Sequence, residues 1–285
     1  PMDRANRSVT AVEPMTQTVL VTGGAGYIGS HVCKALAEAG HRPIAYDTLE
    51  KGHDWAVQWG PLEKGDIGDA ARLDEVMTRH APRAVIHLAG YIEVGESVRE
   101  PARFHDNNVV RSAVLIEAAM RHRLDAFVFS SSCAIFGLPQ TDLLAEDHPI
   151  APLSPYAENK AEVERLLAAT GDRLRSVSLR YFNAAGADPG GTIGEAHAPE
   201  SHLMPLAIDA ALGLGPALTV LGTDYPTPDG TCVRDFVHVN DLADAHLRAV
   251  DWLAGNPGHA AFNLGSGTGY SVREVIEQTS RIVGR

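Results

Sequence analysis

Apolar residues fall along this chain in short unbroken runs rather than in strict alternation. "TVLV" from Thr18 to Val21 is the first, followed by "RPIAYD", "RAVIHLAG", "DAFVFSSS" and "RSVSLRYFN". Runs of that length bounded by turn residues predict strands buried on both faces, the pattern of a parallel sheet. The stretches between them, such as "YIGSHVCKALAEAG" and "VVRSAVLIEAAMRHR", carry apolar positions at helical spacing. Repeated strand–helix units predict an α/β fold, a doubly wound parallel sheet covered on both faces. Right-handed crossovers then gather the carboxyl ends of the strands on one edge, where ligands bind. After Asn183 the pattern changes. "AAGADPGGTIGEAHAPESHLMP" and "LGTDYPTPDGTCVRD" are rich in Gly, Pro and turn residues, which predicts a smaller, loop-rich C-terminal lobe over the scaffold.

Composition narrows the function classes. An apolar fraction of 45% with 21% charged residues is that of a globular chain, and 285 residues suffice for one large core with a smaller lobe. The net charge of −12 argues against nucleic acid and membrane surfaces as partners, because both demand a basic face. No apolar run reaches bilayer length, and "PMDRANRSVTAVEP" lacks the apolar stretch of a signal peptide. Residues 1–15 are expected to be a disordered leader. Cys33, Cys133 and Cys232 form neither a metal-ligand spacing nor a disulfide framework, so no metal is expected and a reducing cytoplasm suits them.

Gly23, Gly26 and Gly29 form a G-x-x-G-x-x-G pattern. In a chain with 27 glycines the bare triple means little, but here it closes a strand and opens a helix. At that junction glycines let the backbone approach a pyrophosphate, and the free N–H groups of the helix start hold its charge. Asp47, at the end of the second strand, stands where a carboxylate accepts hydrogen bonds from an adenosine ribose. It would repel a 2′-phosphate, so NAD is expected rather than NADP. "GDI" puts Asp66 and Ile67 near the adenine. The expected division is a Rossmann-like NAD-binding domain over 16–182, with returning segments at about 235–265. The substrate lobe takes 183–234 and 266–285.

"SPYAENK" sets Tyr156 and Lys160 four residues apart, on one face of a helix start. An unperturbed phenol, with a pKa near ~10, is a poor base at neutral pH. A neighbouring ammonium and the positive nicotinamide of an oxidised cofactor favour the phenolate. Ser132, at the end of "DAFVFSSS", can hydrogen-bond the same substrate hydroxyl. Strand-end Ser with Tyr and Lys on a dinucleotide scaffold is a hydride-transfer constellation.

The ordered series "VTGGAGYIGSH", "GDI", "HLAG", "VGESV", "DNNV", "FSSS", "SPYAENK", "LRYFNAAGA", "HLMP", "VRDFVHVNDLADAH" and "FNLGSG" resembles the UDP-glucose 4-epimerases, of the extended short-chain dehydrogenase/reductase superfamily. The likeness runs from about Thr18 to the last residue. It implies a UDP-hexose substrate oxidised transiently at C4′ and reduced again on its opposite face, with NAD retained through each cycle. Tyr156 would be the base, Lys160 would hold the nicotinamide ribose and lower the Tyr156 pKa, and Ser132 would orient the hydroxyl. Tyr27, Ile28, Leu88, Ala89, Gly90, Asn108, Ser130 and Tyr181 join the glycines, Asp47, Asp66 and Ile67 as implied cofactor contacts. Asn183 and Arg234 are the implied diphosphate contacts. His202, Leu203 and the "LTVLG" strand, with Thr219 and Leu221, are the implied uridine pocket. Arg234 as a salt bridge to Asp235, and Leu203 as core, are the plainer alternatives.

Two departures stand out. Ile92 occupies a position that can carry a cofactor-contacting lysine, and the chain ends where family members continue, so a truncated substrate lobe is expected. A 4,6-dehydratase would need a carboxylate pair after the strand-end serines, where Cys133 and Ala134 stand instead. A catalytically weak NAD-binding module and an epimerase of another UDP-sugar (N-acetylhexosamine, uronic acid or pentose) are the remaining alternatives. The resemblance also implies a homodimer through the helices at "VVRSAVLIEAAMRHR" and after Tyr156.

Overall fold

The computed structural model describes residues 16–141 and 143–284, so the expected leader lies outside the described residues. Strands β1 (Thr18–Thr22), β2 (Arg42–Asp47), β3 (Leu62–Lys64), β4 (Ala84–His87), β5 (Ala126–Ser132) and β6 (Ser176–Tyr181) form one sheet. β7 (Asn183–Ala185), β8 (Val233–His238) and β10 (Gly269–Ser271) make a second, three-stranded sheet in the order β10-β8-β7. β9 (His259–Leu264) returns to the first sheet, whose order is β3-β2-β1-β4-β5-β6-β9, all parallel. The doubly wound sheet expected from the apolar runs is present. The expected return at about 235 begins only after β8, because β8 pairs with β7 and β10 instead.

The helices are α1 (Tyr27–Glu38), α2 (Ala70–His80), α3 (Val94–Arg99), α4 (Pro101–His105), α5 (Arg111–Arg121), α6 (Pro155–Ala169), α7 (Leu203–Leu212), α8 (Val239–Leu253) and α9 (Val272–Val283). Within β1, Val19 and Val21 face one core and Leu20 the other, the period of two that a strand imposes. The first core joins α1 and α8 through Val32, Leu36, Leu242 and Leu253; the second joins α2, α5 and α6 through Leu73, Leu115 and Val163. Burial on both faces is why the strands read as continuous apolar runs. No helix among the described residues is long and apolar enough to cross a membrane.

The "LTVLG" stretch is not a strand. Its residues carry no regular structure, and Thr219 and Leu221 are exposed. It pairs with no described strand, and unpaired backbone gains nothing from extended geometry. Between α4 and α5, Asp106–Val110 winds as a π-helical turn, whose wider winding shifts the faces of the residues beyond it.

Two buried histidines make stability depend on pH. His87, held between the hydroxyls of Thr22 and Ser112 at 2.8 Å each, is pushed by burial from 6.5 down to about 3. His246, whose Nδ1 meets the Leu242 carbonyl at 2.8 Å, is pushed by burial down to about 4. Their folded pKa values lie below the unfolded ones, so their contribution is complete above 6.5 and is lost as pH falls through the acid range. Urea unfolding at about pH 5 is expected to read about 2 kcal/mol less stability from each than at neutral pH. An unchanged free energy between the two would show that neither is held neutral.

Candidate active site

At the carboxyl ends of β1 and β4, where the strand order reverses, the chain opens a cleft of about 1450 Å³. That exceeds the ~300–1,000 Å³ of ordinary small-molecule pockets and suits two large ligands side by side. Its floor is the β1–α1 turn. Gly23 turns the chain at φ +74°, and an added Cβ there would meet Ala89 N at 2.7 Å. A Cβ on Gly29 would meet the Gly23 carbonyl oxygen at 2.0 Å, so only glycine lets α1 lie this close to the strand end. No side chain caps α1 and its first turn holds no acidic residue. Gly26, Tyr27, Ile28 and Gly29 line the cleft, so the N–H groups of the helix start face it without a competing carboxylate. These features fit a dinucleotide diphosphate.

Asp47 ends β2 beside this turn. Its Oδ2 accepts from Ala25 N at 3.1 Å and its Oδ1 from Leu49 N at 2.9 Å, and each oxygen keeps a further lone pair for a ribose hydroxyl. Asp66, Ile67, Leu88, Ala89 and Gly90 also line the cleft. The Asp66 carboxylate is ion-paired with Arg111 and accepts from Gly68 N at 2.8 Å. Asn108 does not reach the cleft. It is buried, accepting from Tyr91 N at 2.8 Å and donating to Tyr91 O at 2.9 Å, and the π-helical turn brings Asn107 to the wall instead. Beside exposed Ile92 the wall carries another cation, Lys51, 3.2 Å from Glu93.

Ser154 caps α6, accepting from Ala157 N at 3.2 Å, and Pro155 fills the first helical position, so Tyr156 and Lys160 follow one turn apart. Tyr156, Lys160, Ser130, Ser132 and Tyr181 all line the cleft. Lys160 is buried; its Nζ donates to the Ser130 carbonyl at 2.7 Å and lies 5.7 Å from the centre of the Tyr156 ring. Burial lowers its pKa to about 8, with the Glu164 carboxylate opposing. Burial pushes the Tyr156 phenol up to about 12, with the Ser132 hydroxyl opposing. The Ser130 carbonyl takes one of the three ammonium donors and leaves two for other partners.

Alternation along β5 sends Ser131 the opposite way from Ser130 and Ser132, to donate to Glu164 Oε1 at 2.5 Å. Arg180 grips the same carboxylate with Nε–Oε1 at 3.0 Å and Nη2–Oε2 at 2.7 Å, and both side chains are buried. This pair behind the strand end was missed from sequence. Its only trace is Glu164 one helical turn beyond Lys160.

Across the cleft stand Asn183, Arg234 and His202. Asn183 Nδ2 donates to Asp235 O at 2.9 Å, joining β7 to β8. Arg234 forms no ion pair among the described residues: Asp235 instead accepts from Ser266 Oγ at 2.7 Å and Gly267 N at 3.0 Å. Glu195 and Glu200 hold a proton on His202, raising it to about 9. Leu203, half-buried at the start of α7, and the exposed Thr219 and Leu221 are not on the cleft wall. The uridine pocket expected there is not assembled from those three, since the stretch holding Thr219 and Leu221 pairs with no strand.

The family model described as the NAD dependent epimerase/dehydratase family matches residues 19–265. A UDP-glucose 4-epimerase of Rhizobium meliloti (strain 1021) is 55% identical over 269 residues, covering 94% of this chain and 82% of the relative. The crystal structure of UDP-glucose 4-epimerase from Brucella ovis in complex with NAD is 48% identical, with a TM-score of 0.91 over 93% of this chain and 82% of that one. The Bifidobacterium longum UDP-glucose 4-epimerase in complex with NAD+ and UDP is 34% identical, with a TM-score of 0.89 over 94% and 84%.

Proposed function

The chain belongs to the NAD dependent epimerase/dehydratase family, and from that premise we propose that it interconverts UDP-glucose and UDP-galactose by transient oxidation at the sugar C4′. The observation that carries this reading is the convergence of Ser132, Tyr156 and Lys160 on the same cleft as the glycine turn. The cofactor we propose is NAD, held by the α1 N-terminus at its diphosphate and by Asp47 at its adenosine ribose. When bound, it supplies a reversible hydride acceptor and a positive charge.

The chain's own groups manage the proton. The Tyr156 oxygen takes the proton of the sugar 4′-hydroxyl as that carbon is oxidised and returns it when the carbon is reduced. With burial holding the phenol near 12, positive charge brought into the cleft is what makes the phenolate accessible at neutral pH. Ser132, on the same cleft wall as Tyr156, is the group we propose orients the sugar hydroxyl. Lys160 reaches a ribose hydroxyl while anchored on the Ser130 carbonyl. Asn183 and Arg234 are the diphosphate partners we propose, and a substrate anchored through its diphosphate leaves the hexose free to turn over. Cys133 and Ala134 beside Ser132 offer no carboxylate for dehydration, which favours epimerisation within this family.

The test is conversion of UDP-galactose to UDP-glucose by the purified chain with no NAD added. Turnover is the expected outcome. A chain that releases NAD on denaturation yet converts neither UDP-hexose would remove the glucose/galactose assignment. We further propose a homodimer through α5 and α6, supported by the exposed Val98 and Val110 beside them. Sedimentation as a monomer at high concentration would remove it. The free thiols suit a reducing compartment, and the cytoplasm is the location we propose.

A further inference from the structure

Four metal-ligating side chains converge on one loop between β7 and α7. Glu195, His197, Glu200 and His202 each offer one ligand atom, and these atoms lie within 4.8 Å of one another. His197 Nδ1 stands 3.2 Å from Glu195 Oε1 and 3.7 Å from Glu200 Oε2. His202 Nδ1 stands 3.0 Å from Glu195 Oε1 and 2.8 Å from Glu200 Oε1. A tetrahedral shell with bonds of ~2.0–2.1 Å has edges of about 3.3–3.4 Å, inside the range these pairs span.

A proton on His202 satisfies only half of this arrangement. Both imidazoles turn the same nitrogen toward one carboxylate oxygen, with their ring centres 4.8 Å apart, so satisfying both would set two cations against each other. His197 Nδ1 is sealed from solvent and lacks a well-formed hydrogen bond. One divalent ion would take both nitrogen lone pairs and balance both carboxylates. Two imidazoles with two carboxylates suit zinc-class ions better than magnesium or calcium, which take oxygen ligands.

The loop is also held from outside the cluster. His53 Nε2 meets Ala196 O at 2.7 Å, and the Tyr27 ring stands edge-on to His197 at 6.4 Å. We propose that Glu195, His197, Glu200 and His202 bind one zinc-class divalent ion. Four protein ligands leave no open position, so the ion is structural and fixes the shape of this loop beside Tyr27. Cysteine spacing pointed to no metal, and this cluster rests on other residue types.

The test uses tag-free chain stripped with a chelator and titrated with Zn2+ by calorimetry and with Co2+ by absorption. The expected result is one equivalent of Zn2+, and Co2+ bands of four-coordinate intensity without a thiolate charge-transfer band. His197→Ala should weaken Zn2+ binding by more than the ~100-fold that outer-shell changes reach. Glu200→Gln, nearly isosteric, should also weaken it, while His122→Ala on the far side of the sheet should not. Three results would overturn the proposal: no stoichiometric uptake, unchanged affinity in both cluster variants, or a thiolate band assigning the ion to Cys133 or Cys232. Binding is read on the protein alone, so the result is independent of the epimerase reading.

Discussion

Replacing Tyr156 by phenylalanine is expected to cut epimerisation by about 10²–10⁴-fold, the usual span for removing a positioned general base, while NAD is still retained. The reason is local. Tyr156 sits in the first turn of α6, fixed by the Ser154 cap and by Ser97 Oγ accepting from its N–H at 3.3 Å. Phenylalanine keeps the ring, the helix start and the cleft wall, and removes only the oxygen proposed to move the proton. The measurement pairs initial rates on UDP-galactose with the NAD released on denaturation. Turnover near that of the unaltered chain would assign the proton to another group, and joint loss of rate and NAD would make Tyr156 a structural residue. Ser132→Ala is the graded companion, expected to lose less because the phenol itself remains.

The second large effect is expected at Gly29. An alanine Cβ would lie 2.0 Å from the Gly23 carbonyl oxygen, 2.8 Å from its carbonyl carbon and 2.9 Å from Gly24 Cα. All three are backbone atoms of the turn itself, so no flexible side chain can yield. Overpacking typically costs about 1–3 kcal/mol, and a backbone clash this close belongs at or above the top of that range. The turn and the α1 N-terminus must separate, which removes the proposed diphosphate cradle along with the stability. Gly255→Ala is the control, since nothing lies within 4 Å of a Cβ there. It should stay within about 1 kcal/mol of the parent. Thermal unfolding and NAD content read both variants. Gly29→Ala with parental stability and cofactor would refute the close approach.

Much of this was legible beforehand because it depends on short-range pattern. Strands covered on both faces must be apolar throughout, so β1, β2, β4, β5 and β6 announced themselves. The glycine turn was legible because a turn that would put any Cβ at Gly29 2.0 Å from the Gly23 carbonyl oxygen tolerates one residue type, and "SPYAENK" because a cap, a proline and a four-residue spacing are local features. The misses involve partners distant in sequence. "LTVLG" has strand composition, yet a strand exists only where another pairs with it. Asn108 and Asn107 are neighbours in an evenly polar "DNN", and the π-helical turn decided which of them faces the cleft. That one Lys160 donor is fixed on the Ser130 carbonyl, 30 residues away, was likewise not legible from the four-residue spacing.

The amino-acid sequence by itself determined the fold class, the order of the strand–helix units and the placing of Tyr156 and Lys160 one turn apart at a helix start, since periodicity, caps and glycine constraints act within a few residues. Only the tertiary structure decided which groups set the Tyr156 pKa, that Glu164 and Arg180 pair behind the strand end, and that two histidines and two glutamates share one loop centre. Electrostatic balance and ligand geometry depend on distances between chain segments, and those distances exist only once the sheet has formed.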